Sequence, residues 1–440
     1  MTLHILPNGA GGLTDDRPMK RGQIVAILLV ILIAVIDGYD LMAMAFAAPV
    51  VSRQWGIDKA SLGLLLAISL VGMAAGSLLL TPIADKLGRR AMVLWSLGLV
   101  TIATLVSGLS VTLPQLLASR LATGMGLGAL VPLLSTLASE YANTRSRSFV
   151  VSCTAVGLPL GGAIGGAVSA LILQGHDWHW VFLIGAIAGA VVLLIAVVAL
   201  PESPAYLIAR RPDNALERLN SILVKWGHDP LTSLPAARGS SQGSIRALFS
   251  PALVPHTLRL TAINVLMLIA GYYVLNWLPQ IMANEGFSPS TAGMVSSTSS
   301  MVGFAGPLVL GALAMRFGAR WMATLAMGGF GVALISLAFV PPLLPLLILA
   351  VSACAVCMSG SAAMFQAIAV ETFPAGVRAS AIGFIMGIGR IASGLGPYLA
   401  GLMFAGGMTR LGVSLSFSVL ALIAGALMMT RRGNATPLAA

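Results

Sequence analysis

Apolar residues in this chain come in long unbroken runs, and polar positions fall between them. Twelve runs are long enough to cross a hydrocarbon layer, which takes about 20 residues of helix. They lie near 24–48, 61–84, 91–110, 115–138, 149–174, 180–200, 260–283, 291–315, 321–340, 343–370, 379–406 and 411–430. Lipid offers no partner for backbone N–H and C=O groups, so runs this long must be α-helices. Strands of a membrane barrel would be about ten residues long with alternating polarity, and no such segment occurs. The pattern predicts an all-α polytopic membrane protein with twelve transmembrane helices. The first run has the layout of a signal peptide: Lys20 and Arg21, an apolar stretch, then small residues near Ala43 to Ala48. Eleven further spans with short loops follow it, so we read it as span 1.

Composition narrows the classes. Hydrophobic residues make up 58% of the chain and charged residues only 9%, whereas soluble domains carry about 25% charged residues. A water-soluble enzyme, a disordered chain and a coiled coil are excluded. The formal charge of +11 would suggest nucleic acid in a soluble protein, but here the bases sit in short clusters between spans and act as topology signals. With both termini in the cytoplasm, that side holds Arg17, Lys20, Arg21, Lys86, Arg89, Arg90, Arg145, Arg147, the bases between Pro201 and Arg259, Arg316, Arg320, Arg378, Arg431 and Arg432. The external loops hold only Arg53, Lys59 and Arg410. This imbalance orients the chain in a bacterial-type inner membrane. Cys153, Cys354 and Cys357 all lie in apolar runs and give no disulfide framework.

The longest polar stretch divides the spans six and six. The expected organisation is a cytoplasmic tail (1–23), a six-helix half (24–200), a cytoplasmic linker (201–259), a second six-helix half (260–430) and a tail (431–440). Within the linker, Asp213–Trp226 is expected to form an amphipathic helix on the membrane surface, and Arg238–Gly243 a flexible segment. A weak repeat relates the halves. Asp85-Lys-Leu-Gly-Arg-Arg90 follows span 2 and Met315-Arg-Phe-Gly-Ala-Arg320 follows span 8; glutamate and arginine also close span 4 (Glu140, Arg145) and span 10 (Glu371, Arg378). Two such halves describe a rocking transporter with its site at their interface.

Several motifs carry a family likeness: Asp37-Gly-Tyr-Asp40, Ala84-Asp-Lys-Leu-Gly-Arg-Arg90, Arg120-Leu-Ala-Thr-Gly-Met-Gly-Leu-Gly128, Ser139-Glu-Tyr141, Leu200-Pro-Glu-Ser-Pro204, Gly387-Ile-Gly-Arg390 and Gly396-Pro397. Through them the chain resembles the major facilitator superfamily over nearly its whole length and, within it, the aromatic acid:proton symporters. Two positions depart from the family pattern. Thr81 stands where the loop motif usually opens with glycine, and Ala205 follows the Pro-Glu-Ser-Pro where arginine is common.

Four ionisable residues lie inside spans, where charge is costly and usually functional: Asp37, Asp40, Arg120 and Arg390. Asp37 and Asp40 are three apart on one helix face. Two carboxylates so close in low dielectric cannot both carry charge cheaply, which suits proton coupling; one of them instead pairing with an arginine to hold helices together is the plainer reading. The resemblance implies that both acids are needed for transport. Arg120 shares a stripe with Gly124 and Gly128, and Arg390 with Gly383, Gly387 and Gly394. Such glycines admit another helix or a ligand, and each guanidinium offers a fork matching a carboxylate. Permanent neutralisation of the span 1 acids by the arginines is the alternative. Asn264, Tyr272, Tyr273, Asn276, Trp277 and Gln280 in span 7, with Gln366 in span 10, are candidates to complete a substrate pocket; the span 7 aromatics also fit an interfacial belt. The resemblance makes Asp85, Arg89, Arg90, Glu140, Arg145, Glu371 and Arg378 a gating latch, against a purely topological role.

Other signals weigh little. Cys354 and Cys357 have packing roles, His176 and His179 flank an interfacial tryptophan, and Gly157-Leu-Pro-Leu-Gly161 packs helices closely. No P-loop, zinc spacing or hydrolase nucleophile is found, so neither enzyme activity nor a cofactor is expected. The expected function is import of a small organic acid, which the resemblance makes an aromatic carboxylate, together with protons, by a monomer in contact with membrane lipid and without nucleic acid. An exporting proton antiporter and a non-transporting membrane sensor on the same fold remain open as alternatives.

Overall fold

A computed structural model describes residues 18–235 and 245–430. Arg17, the Arg238–Gly243 segment, and Arg431 and Arg432 of the C-terminal tail lie outside the described residues. The described chain is helical, with twelve helices long and apolar enough to cross a membrane. Spans 1 to 6 are Arg21–Trp55, Lys59–Leu87, Arg89–Gly108, Leu113–Tyr141, Arg147–Ile172 and His179–Ala199. Spans 7 to 12 are Val254–Asn284, Pro289–Phe317, Ala319–Phe339, Leu344–Thr372, Ser380–Ala405 and Arg410–Met429. Several outrun the apolar segments that announce them, because a helix satisfies its own backbone and can continue into polar flanks.

Breaks in the spans have local causes. Pro307 cannot donate to Gly303, and span 8 is interrupted at Phe304 between Pro289–Gly303 and Ala305–Phe317. The Ser359 hydroxyl of span 10 donates to the Gly303 carbonyl at 2.6 Å, satisfying the group that proline leaves over. At the start of span 2, the Asp58 carboxylate accepts the N–H groups of Ala60 (3.0 Å) and Ser61 (3.1 Å). Hydrogen bonds from Ser61, side chain and backbone, and from Ala60 hold this carboxyl below its usual range. The loop repeat is also visible in the backbone. Gly88 (φ 102°, ψ 146°) and Gly318 (φ 88°, ψ 141°) each join two helices in a conformation that residues with a Cβ rarely adopt.

Packing divides the described residues into two compact units. The first takes the described residues up to Leu41, Val71–Gly165 and the described part of His179–Ser240. The second takes Met42–Leu70, Gly166–Trp178 and the described residues after Ser241. Spans 1, 2 and 5 thus contribute to both.

In the first unit, backbones approach through glycine. A Cβ on Gly38 would stand 1.9 Å from the Leu158 oxygen, and one on Gly161 1.9 Å from the Val35 oxygen, so spans 1 and 5 mesh at van der Waals limits. Gly128 meets the Met73 oxygen in the same way at 2.0 Å, bringing span 4 onto span 2. We expect Gly38→Ala to cost about 1–3 kcal/mol by overpacking, read as a lower midpoint of thermal unfolding in detergent. Gly311→Ala, where no atom lies within 4 Å of an added Cβ, serves as control and should hold or slightly raise the midpoint. Equal midpoints for the two variants would refute the meshed packing of spans 1 and 5.

The linker differs from expectation. Its helix Ala215–Lys225 buries Ala215, Leu219, Ile222 and Leu223 within the protein, not on a membrane surface. Trp226 stands edge-on to Tyr141 at 5.5 Å. Gln23 donates to the Tyr141 carbonyl at 3.0 Å and lies 3.1 Å from His228. The ends of spans 1 and 4 thus meet the C-terminal end of this helix.

In the second unit, outer segments of the early spans lie on later ones. A Cβ on Gly63 of span 2 would be 2.7 Å from Gly401 Cα in span 11, and Gly166 of span 5 and Gly293 of span 8 each approach the other's carbonyl within 3 Å of a would-be Cβ.

Candidate functional site

Asp40 and one of the two intramembrane arginines meet in the first unit, with Asp37 buried one turn earlier on span 1. Asp37 and Asp40 are each 2% exposed and Arg120 is fully buried. Span 3 supplies the groups that join Asp40 to Arg120. Thr104 donates its hydroxyl hydrogen to Asp40 Oδ1 at 2.9 Å and accepts from Arg120 Nη2 at 3.3 Å. Arg120 Nη2 also donates to Thr123 Oγ1 at 2.8 Å, Nε to Ser107 Oγ at 3.0 Å, and Nη1 to the Asp40 backbone oxygen at 3.5 Å. Ser107 and Ser119 are linked at 2.8 Å. The Phe182 ring of span 6 covers the guanidinium at 4.8 Å, a favourable placement for a cation over an aromatic face. Tyr39 donates to the Val181 oxygen at 2.7 Å, and Gly185 leaves space for its ring.

A guanidinium has five N–H donors and no acceptor, so burying it requires several oxygens at fixed positions. Four residues provide them here. Sequence reading found the charges but missed Thr104, Ser107 and Thr123. The signal was present: hydroxyls at 96, 101, 104 and 107 in span 3, and at 119 and 123 beside the arginine. Hydroxyls are common in membrane helices as helix contacts, and the identity of the facing span is not written in the sequence.

Arg390 sits in a different environment. Residues 383, 387, 390, 394, 397 and 401 follow at spacings of four and three, which places them on one helix face. The far end of that face closes on span 2, where Gly63 meets Gly401 and the Pro397 oxygen. The near end is open, with no heavy atom within 4 Å of a Cβ placed on Gly383 or Gly387. Arg390 itself is half-buried. The opposite face carries Gly389, packed against Asn264, whose amide donates to the Ile385 oxygen at 3.0 Å. The two arginine stripes, alike in sequence, are packed in one case and open in the other.

The span 7 candidates separate similarly. Tyr273 is fully buried, bonded to Ser414 at 2.8 Å and stacked on Phe417 at 4.3 Å. Trp277 donates to the Pro397 oxygen at 2.9 Å and leans on Phe404 at 4.8 Å. Asn276 is buried and donates to the Tyr272 oxygen at 2.9 Å. Tyr272 and Gln280 are half-buried and Gln366 is exposed.

Of the expected gating residues, Arg89, Arg90 and Glu140 are joined through the Pro201–Pro204 turn. Arg89 pairs with Glu140, and the Ser203 hydroxyl donates to the same carboxylate. Glu202 accepts from the N–H groups of Arg90 and Ser203, both at 2.9 Å. Arg90 closes the end of span 6, donating to the Leu200 oxygen at 2.7 Å and the Val197 oxygen at 2.6 Å, where helix carbonyls lack internal partners. Asp85, Arg145 and Glu371 are exposed. The Asp85 carbonyl accepts from Arg210 at 2.9 Å, and Arg378 donates to the Phe373 oxygen at 3.2 Å. Glu202 and Ser203 were legible as a motif, but their partners were not.

A model described as the Major Facilitator Superfamily matches residues 30–280 and 260–438. The chain is 30% identical over 427 residues to a gallate transporter of Pseudomonas putida, covering 96% of this chain and 94% of that protein. It is 31% identical over 413 residues to the 4-hydroxybenzoate transporter PcaK of Pseudomonas aeruginosa, covering 92% and 89%. Among solved structures it is similar to a D-xylose-proton symporter, with a TM-score of 0.71 at 18% identity over 94% of this chain and 99% of that one. At that identity the likeness speaks for the fold alone.

Proposed function

The chain belongs to the Major Facilitator Superfamily, and from that premise we propose that it is a proton-driven symporter importing small aromatic carboxylates across a bacterial inner membrane, both termini in the cytoplasm. The observation that carries the reading is the buried Asp40–Thr104–Arg120 cluster. Ions in a membrane interior persist only where they do something or are paired, and here an acid able to take a proton is linked by one hydroxyl to a cation unable to lose one. The relatives named as gallate and 4-hydroxybenzoate transporters supply the substrate class.

In the proposed cycle Asp37 or Asp40 takes a proton from the outer side, which changes how Arg120 is held. The substrate carboxylate binds Arg390, whose stripe is open. The cargo and the proton then cross together, since a net charge would oppose the passage, and the proton leaves on the more alkaline inner side. In the same reading the division into halves at 24–200 and 260–430 defines the moving parts. Tyr272, Asn276 and Gln366 offer polar or aromatic contact to the ring, while Tyr273 and Trp277 shape spans 11 and 12. Asp85, Arg89, Arg90, Glu140, Arg145, Glu371 and Arg378 exchange partners as the transporter alternates.

The test is uptake of labelled benzoate, 4-hydroxybenzoate and gallate into proteoliposomes made alkaline inside, with protein-free vesicles subtracting passive entry of the neutral acid. We expect accumulation above equilibrium, and alkalinisation outside when acid is added. Absence of both for all three compounds overturns the reading; efflux alone would favour an exporter, and binding without flux a sensor. Arg390→Ala is expected to raise the half-saturating concentration about 10- to 100-fold, the worth of a hydrogen bond to a charged group, while Arg390→Lys retains part of the affinity. An unchanged half-saturating concentration in Arg390→Ala removes this residue from carboxylate recognition.

A further inference from the structure

The Asp40 carboxylate and the Arg120 guanidinium are bridged by one atom, the Thr104 hydroxyl oxygen, beside a longer bond from Arg120 Nη1 to the Asp40 backbone oxygen. The hydroxyl gives its only hydrogen to Asp40 Oδ1 at 2.9 Å and takes one from Arg120 Nη2 at 3.3 Å. We propose that Thr104 is a positioning residue that couples protonation of Asp40 to the hold on Arg120. The inference deepens the proton-coupled reading above and rests on it.

The argument is hydrogen accounting. Only one hydrogen fits between Thr104 Oγ1 and Asp40 Oδ1. While Asp40 is ionised it is an acceptor only, so that hydrogen belongs to threonine. When Oδ1 takes a proton, the carboxyl becomes the donor and the threonine hydrogen must turn elsewhere. A helical threonine can turn it to the carbonyl four residues back, which here is Val100; Thr101 already does this toward the Leu97 oxygen at 2.8 Å. The hydroxyl oxygen then accepts from the carboxyl where it formerly accepted from Arg120 alone. The guanidinium feels proton arrival as a change in one of its anchors, without itself titrating. No bond other than O–H is made or broken, and the proton comes from and returns to water.

The surroundings isolate this exchange. The titratable groups beside Asp40 are Asp37 and Tyr39 on its own span, with the Tyr39 hydroxyl committed to the Val181 oxygen, and Arg120 on span 4. Among the described residues, span 3 presents hydroxyls to the cluster, and span 6 presents the Phe182 ring and Gly185. Thr123 and Ser107 hold the same guanidinium, but Thr104 is the hydroxyl that also donates to the Asp40 carboxylate, and so it bridges the two charged groups.

Thr104→Val keeps the shape and removes the hydroxyl; Thr104→Ser keeps the hydroxyl. Both would be compared with wild type and Asp40→Asn in proteoliposomes, using labelled benzoate, 4-hydroxybenzoate and gallate. One assay is accumulation under a pH gradient, the other exchange of preloaded compound at equal pH. In Thr104→Val we expect accumulation to fall about tenfold, the worth of one hydrogen bond to an ionised group, exchange to fall far less, and Thr104→Ser to restore accumulation. Wild-type accumulation in Thr104→Val, with Asp40→Asn inactive, overturns the inference and leaves the proton-coupled reading standing. Wild-type accumulation in both variants overturns the inference and leaves Asp37 as the coupling acid; no accumulation by wild type with any of the three compounds overturns both. If Thr104→Val does not run as a folded monodisperse peak, Thr104→Ala takes its place. Equal loss of exchange and accumulation, unrescued by serine, would make Thr104 structural and refute the coupling role.

Discussion

Asp40→Asn is expected to abolish proton-driven accumulation while leaving the protein folded. Asparagine has the shape of aspartate and keeps an oxygen where Thr104 donates at 2.9 Å, but it cannot take up or release a proton. In an electroneutral one-for-one symport each pH unit supports about tenfold accumulation, since one pH unit is worth about 1.4 kcal/mol. The variant should therefore fall from that ratio to the level of protein-free vesicles. Exchange at equal pH should persist, because no net proton transfer is needed. The comparison with Asp37→Asn assigns the proton: the acid whose amide loses accumulation but keeps exchange is the coupling site. Full accumulation in both amides would end the proton-coupled reading.

The second large effect is on stability. Arg120→Ala removes a fully buried cation that donates to Thr104, Ser107, Thr123 and the Asp40 backbone. Breaking a buried ionic arrangement by deleting one partner costs about 3–5 kcal/mol, because the remaining groups stay buried without compensation. We expect a large drop in thermal midpoint in detergent, with poor recovery of folded protein. Arg120→Lys should do little better: one ammonium on a flexible stem cannot reach four oxygens set for a planar fork. Arg390→Ala should by contrast keep its midpoint, since its stripe is open at Gly383 and Gly387. If Arg120→Ala melts like wild type and Arg390→Ala does not, the assigned division between an internal and a substrate-facing arginine is reversed.

That division shows how far the chain could be read before it was folded. Both arginines stand on glycine stripes of similar spacing, and the letters give no reason to treat them differently. The difference arises from neighbours distant in sequence. Span 2 lies against Gly128 through the Met73 backbone, whereas Gly383 and Gly387 receive no such cover. The same holds for Tyr273 and Trp277, whose polar atoms reach Ser414 and Pro397 more than a hundred residues away. The linker helix was legible as amphipathic, yet what covers it was not, because an apolar stripe accepts protein or lipid alike.

The sequence by itself determined the membrane class, the twelve helices and the presence of four charges within the spans. Each follows from a local rule: backbone in lipid must bond to itself, and an ion there is too costly to be accidental. Tertiary structure alone decided which groups face those ions. It placed Thr104 between Asp40 and Arg120, Glu202 beneath the Gly88 turn and Gly63 upon Gly401. Such meetings depend on how whole helices pack, and helix packing is set by the summed fit of many small residues, not by any motif that a single span contains.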